Sequence, residues 1–229
     1  MKKIITAAVL MVFSTFSAKA IDLGAFSVTG GYAENSSVWG ASAKERNFDE
    51  SGVVRTTKNT HGVFAESYSS YLLEMGIGRF VSIGYETSPD SIKTPTNTSN
   101  EGNASENNVS VSFDDFTTTY AKLNIPGGMY LKYGYVGVDV NITETGTANK
   151  YASKTTDGTS LGAGYQRFFG ESGFGFRLEA NYVELDAVST NNGVTTASET
   201  NGGQNKIDTK NLEGATAKMA LTYTFGRNN

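Results

Sequence analysis

From Ile21 onward the chain is built of segments in which apolar and polar residues alternate with period two. The connections between those segments are short and long in turn. Period two places alternate side chains on opposite faces of a strand, so the pattern dictates β-structure and leaves no convincing helical period. The clearest case runs from Asn211 to Phe225. Ala215, Ala217, Met219, Leu221, Tyr223 and Phe225 share one face, and Thr216, Lys218, Ala220, Thr222 and Thr224 share the other. A second sets Phe174, Phe176, Leu178, Ala180 and Tyr182 against Arg177, Glu179 and Asn181. Val81, Ile83 and Tyr85 oppose Ser82, Gly84 and Glu86, and Ala121, Leu123 and Ile125 oppose Tyr120, Lys122 and Asn124.

The short connections are Gly76–Arg79, Pro126–Gly128 and Gly170–Gly173, in the hairpin range. The long polar ones are Asn47–His61, Ser88–Asn108, Glu144–Asp157 and Ser189–Thr209. Strictly alternating lengths predict an antiparallel up-and-down meander of eight strands. Short turns gather on one side, with both chain ends, and long loops on the other. Pro89, Pro95 and Pro126 all fall in connections, where a missing N–H breaks no ladder bond. The stretch Gly24–Arg46 is long for one strand. A turn at Glu34–Ser37 would make nine strands, so one bent strand, or a strand preceded by an extended lead-in, is preferred. The fifth strand changes phase: Leu131, Tyr133 and Tyr135 share one face, then Val136, Val138 and Val140 share the other. A β-bulge near Tyr135–Gly137 would keep Asp139 off an apolar face; a strand buried on both sides is the alternative.

Lys2 and Lys3, the apolar run Ile4–Phe13 and Ala18-Lys19-Ala20 have the three parts of a secretory signal peptide. The expected organisation is a signal peptide over 1–20, a barrel over 21–226 and a C-terminal tail over 227–229. Cleavage lowers Lys plus Arg from 19 to 16 against 23 acids, a net charge of −7. An acidic chain without a basic cluster makes nucleic acid a poor partner. The absence of cysteine excludes a disulfide scaffold and a thiol enzyme.

Which face is apolar decides the solvent. Lipid rewards an apolar exterior, whereas water rewards an apolar interior. Glu74, Glu86, Lys122, Lys132, Arg167, Arg177, Glu179 and Lys218 sit on the polar faces with both signs in similar number. In a transmembrane barrel they would point inward and pair across the lumen, with Gly84, Gly134, Gly162 and Gly164 leaving room for them. Phe80, Tyr133, Phe168, Phe169, Phe174, Phe176, Tyr223 and Phe225 lie near the short-turn end. Tyr32, Trp39, Tyr85, Phe113 and Tyr182 lie nearer the long loops, as two interfacial girdles would.

The terminal segment Lys218-Met-Ala-Leu-Thr-Tyr-Thr-Phe225 resembles the C-terminal assembly signal of bacterial outer-membrane proteins. Lys218 stands at the polar position, Ala220 at the small one, and Tyr223 and Phe225 at the aromatic ones. Ala220 replaces the usual glycine, and Gly226-Arg-Asn-Asn229 runs past the aromatic that normally ends the chain. The mature chain as a whole resembles the small OmpA/OmpX/OmpW-type eight-stranded barrels. The resemblance implies residence in the bacterial outer membrane among its lipids, delivery by periplasmic chaperones and the barrel-assembly machinery, a monomer, and no cofactor. A phage or surface ligand for the loops stays unidentified.

Eight strands enclose little more than side chains, so a wide channel is not expected. The expected role is structural and surface-presenting. A narrow passive porin-like channel for small solutes is the rival, and OmpW-type relatives are thought to admit small hydrophobic compounds, although no lateral opening is evident in the sequence. Lipid-modifying barrels need a base and a nucleophile. The single histidine, His61, has Val63 where a deacylase pattern would have serine, so no enzymatic activity is expected. Asp114-Asp115 and Asp49-Glu50 offer too few oxygens for a cation site. The Asn-x-Ser/Thr triplets at Asn35, Asn97, Asn103, Asn108 and Asn141 reflect composition, and Gly162-x-Gly164 precedes no helix.

Overall fold

A computed structural model describes residues 26–49, 51–99, 107–145, 151–194 and 204–226. The expected signal peptide and the tail lie outside the described residues. The strands are β1 (Phe26–Phe48), β2 (Val54–Ile77), β3 (Val81–Thr87), β4 (Ile92–Lys93), β5 (Asn97–Ser99) and β6 (Asn107–Asn124). They continue with β7 (Met129–Thr145), β8 (Lys154–Phe168), β9 (Phe174–Leu185), β10 (Ser189–Asn191) and β11 (Gln204–Phe225).

All pairings are antiparallel, and β1 pairs with both β2 and β11, so the sheet closes. The short β4 and β5 continue the course of β3 along β6, and β10 continues β9 along β11. The result is an eight-stranded ring. Phe26–Phe48 is a single strand with a register shift between Gly40 and Ser42 in its pairing with β11, and it does not split into two at Glu34–Ser37. Stepping across the ladders from Thr29 through Glu74, Gly84, Tyr120, Gly134, Ser160, Val183 and Gly214 returns to β1 at Trp39, ten residues further on. That stagger, with a rise of about 3.3 Å and a strand spacing of about 4.8 Å, tilts the strands by about 40°.

Three of the long connections contain strand. The ladder of β1 with β2 continues to Phe48 opposite Val54, leaving a tight turn where Asn47–His61 was expected to loop. Polar residues extend strands here because backbone pairing, not apolar burial, holds a sheet that stands in water on both faces. Likewise Ser88–Asn108 carries β4, β5 and the start of β6, and Ser189–Thr209 carries β10 and the start of β11.

The phase change in β7 has a different cause from the expected bulge. β7 keeps strict alternation: Lys132, Gly134, Val136, Val138 and Val140 all point inward, and Asp139 points outward. The bulge lies on β6, where Asp115 adopts φ 53° and the register shifts between Asp114 and Thr117. The solvent changes rather than the strand. Outward apolar side chains from Phe26 and Phe225 up to Tyr135 and Tyr182 span about 25 Å at about 2.5 Å of height per residue. Above that height the exterior turns polar, and the interior becomes an apolar core of Trp39, Tyr68, Ile92, Phe113, Phe116, Val136, Val138, Val140, Val183, Leu185, Val188 and Leu212. The lower half is organised for lipid and the upper half for water. Trp39 and Phe113 therefore belong to this core and not to the upper girdle. Tyr32, Tyr71, Tyr85, Tyr135 and Tyr182 supply the girdle instead.

Candidate functional site

The lumen below the apolar core is an ionic layer. Glu74 of β2 accepts from Lys122 of β6 at 2.5 Å and from Arg177 of β9 at 3.1 Å. The Tyr120 hydroxyl donates to the same carboxylate at 3.1 Å. Glu86 of β3 meets Lys218 of β11 at 2.5 Å, Lys132 of β7 at 3.4 Å and the Ser70 hydroxyl at 2.8 Å. Glu179 of β9 accepts from Lys132 at 2.5 Å, Lys218 at 3.1 Å and Tyr130 at 2.7 Å. Seven of the eight residues expected in the lumen are thus together and buried, with Arg177 only 1% exposed.

Arg167 is the exception. It is exposed on the outer face of β8 beside the short-turn end, because Gln166 holds the inward position. An arginine at that level can extend its guanidinium to the headgroups while its stem lies on the wall. Gln166 Oε1 accepts from Arg177 at 2.8 Å and Lys122 at 3.3 Å, a role no charge pattern announces.

Of the four inward glycines, Gly84 and Gly164 make room for rings, Gly134 for Thr118 and Gly162 for Asn181, none of them directly for a charge. A Cβ at Gly84 would meet Tyr120 at 2.4 Å, and one at Gly164 would meet Tyr130 at 2.3 Å. The two rings thereby lie against the walls and face the cations: Lys132 stands 4.7 Å from the Tyr120 centroid, and Lys122 stands 5.1 Å and Arg177 5.4 Å from that of Tyr130. With four cations and three carboxylates, the rings and Gln166 absorb the surplus positive charge.

The wall is incomplete between β2 and β3. Their ladder ends at Tyr71 opposite Thr87, while β2 runs on to Val54. Ser88 and Thr94 donate their N–H groups to β6, at 2.9 Å to Phe116 O and 2.9 Å to Val111 O. Pro89 and Pro95 each follow one of these, where an N–H would point toward β2. As expected, both prolines fall between strands, Pro89 just after the end of the β2–β3 ladder and Pro95 between β4 and β5. The exposed backbone at the base is capped by side chains: Ser69 N–H donates to Asp90 at 3.0 Å, and Ser69 C=O accepts from the Ser88 hydroxyl at 2.9 Å. The paired prolines within a polar stretch were the sequence signal for this slit.

Elsewhere, Lys218, Ala220, Tyr223 and Phe225 lie in β11 as ordinary wall residues, the first two inward and the aromatics outward. His61 is joined to Ser42 of β1, Nδ1 to Oγ 3.0 Å, on an exposed sheet surface. No third group is paired with that histidine among the described contacts. Among the described residues no three carboxylate or imidazole groups gather as a metal site. Of the paired carboxylates, Asp114 accepts from Asn141 at 2.6 Å and Glu50 lies outside the described residues.

In the upper sheet, Asp208 of β11 binds Arg46 of β1 and the Ser189 hydroxyl of β10, the latter at 2.7 Å. Partial burial works to raise its carboxyl, and Ser189, Arg46 and Lys206 outweigh it and hold it below the usual range. A lowered folded-state value stabilises above the unfolded value, about 3.9, and that contribution fades as pH falls through the folded one. Protection factors of the amides in Lys44–Phe48 and Gln204–Lys210, corrected for the intrinsic rate at each pH, should therefore fall below about pH 4 while those of Leu212–Phe225 hold. Equal protection at pH 3 and pH 6 would contradict this.

No protein-family model matches the chain, and no curated protein matches its sequence. Solved structures do. OprG of Pseudomonas aeruginosa, an outer membrane protein, superposes with a TM-score of 0.52 at 9% identity, covering 85% of this chain and 96% of OprG. AlkL, an outer membrane protein studied in lipid bilayers, gives 0.43 at 10% identity over 94% and 98% of the two chains. Ail, the attachment invasion locus protein of Yersinia pestis, gives 0.38 at 14% over 83% and 98%. The closed ring, the lipid-height apolar belt and the likeness to OprG agree: the chain has the fold of the small bacterial outer-membrane proteins, an eight-stranded antiparallel barrel that crosses the membrane.

Proposed function

We propose that the protein is a non-conducting, non-enzymatic barrel that anchors a polar β-sheet at the cell surface. The observation that carries this reading is the doubly filled lumen, with the salt-bridged layer of Glu74, Glu86, Glu179 and their cations beneath the apolar core around Trp39. A hydrated ion would have to displace both. Above the membrane, β1, β2 and β11 continue as a sheet that is polar on both faces and displayed to solvent. Purified protein in planar bilayers should give no discrete single-channel steps; reproducible openings would overturn the reading in favour of an axial pore.

One observation favours a second reading. The slit bounded by Pro89 and Pro95 opens beside Phe64, Tyr68 and Ile92, an apolar surface suited to a small apolar solute entering sideways. Uptake of a small apolar fluorophore by cells making the protein should then exceed that of cells lacking it. It should fall when a designed disulfide ties β2 to the segment after β3, and uptake indifferent to the protein removes this route.

A further inference from the structure

Between the ionic layer and the apolar core lies a cavity of ≈ 20 Å³. Three side chains that line it keep an atom without a partner: Asn35 Oδ1, Asn181 Oδ1 and Thr216 Oγ1. All three are buried, at 2%, 9% and 5% exposure. They come from β1, β9 and β11, the strands at the closing seam. Thr216 faces Asn181 across one ladder and Ser37 across the other, and Asn35 faces Lys218. Buried polar atoms without partners are rare, because each forfeits its hydration. Three around one small polar space point to an occupant.

The chemistry selects it. Asn35 donates through Nδ2 to Tyr68 O at 3.1 Å and to Ser70 Oγ at 2.9 Å, so its oxygen must be the atom without a partner. A fixed carbonyl oxygen repels an anion. Lys132 and Lys218 outnumber Glu86 along the same space, so its charge disfavours a cation. The Tyr68 phenol also stands near the Thr216 hydroxyl, as a competing acceptor for its proton. A guest that both donates and accepts is required, and the space exceeds the roughly 10–15 Å³ that a cavity needs to hold one water. We infer that a single water is bound here, donating to the two asparagine oxygens and accepting from the Thr216 hydroxyl. It joins the first and last strands through hydrogen bonds that the ladder does not supply.

The test uses the intact folded barrel. A map that resolves lumenal waters should show density in this cavity, and crystals grown in bromide should show no anomalous peak there. An empty cavity, or a bromide peak, overturns the inference. Thr216→Val, which keeps the shape and removes the hydroxyl, gives an independent sign. With water in place the hydroxyl is satisfied, and the substitution raises the unfolding constant roughly two- to tenfold. In a dry cavity it removes an unpaired polar atom, so an unchanged or more stable variant overturns the inference as well.

Discussion

Replacing Glu74 by glutamine should cost about 3–5 kcal/mol of unfolding free energy, read from urea titration of the folded barrel in lipid vesicles. Glu74 is the one carboxylate between Lys122 and Arg177, both nearly inaccessible to water. Its neutral replacement leaves two buried cations with Gln166 and the ring of Tyr130 as their remaining partners. Removal of one partner from a buried pair is costly because the charge left behind cannot be solvated, whatever the net worth of the intact pair. Glu86→Gln should cost less. Its two lysines also reach Glu179, at 2.5 and 3.1 Å, so each keeps a carboxylate. Equal losses in the two variants would mean that the layer behaves as one diffuse charge cloud and that the specific pairs described above do not matter.

Leu221→Arg should destabilise the barrel by about 2–4 kcal/mol in vesicles, whereas Val63→Arg should stay within about 0.5 kcal/mol. Both residues point outward and both are exposed, at 66% and 76%. They differ only in height. Leu221 lies within the apolar belt, where an arginine must be taken out of water or drag water in. Val63 lies opposite Gly40 on the extension above the belt, where a charge meets solvent. Similar costs at both sites would contradict a boundary between lipid and water at the tyrosine girdle. The opposite ordering would reverse the membrane assignment.

The same boundary explains which expectations survived. Eight strands and antiparallel order follow from period two together with the alternating connection lengths, and the apolar exterior of Val81–Tyr85, Phe174–Tyr182 and Ala215–Phe225 follows once lipid is taken as the outer medium. So does the inward aim of Glu74, Lys122, Arg177 and Lys218. Arg167 shows the weakness of a short segment: at the end of β8 the faces of Gln166 and Arg167 cannot be ranked without the partner strand. Trp39 and Phe113 show another. An aromatic near a strand end suits an interfacial girdle and an apolar core equally well, and the choice depends on its height.

Periodicity and the alternation of short and long connections determined which residues share a face, how many times the chain crosses, and that the charged faces must avoid lipid. Closure determined the rest. The ten-residue stagger sets how far each strand stands above its neighbours, and hence which glutamate meets which lysine and where each strand leaves the membrane. The apolar phase of β7 changes sides at that exit, from Tyr135 outward to Val136 inward, because the medium outside changes while the strand does not. A sequence carries the alternation locally, but height relative to the membrane is a property of the whole ring.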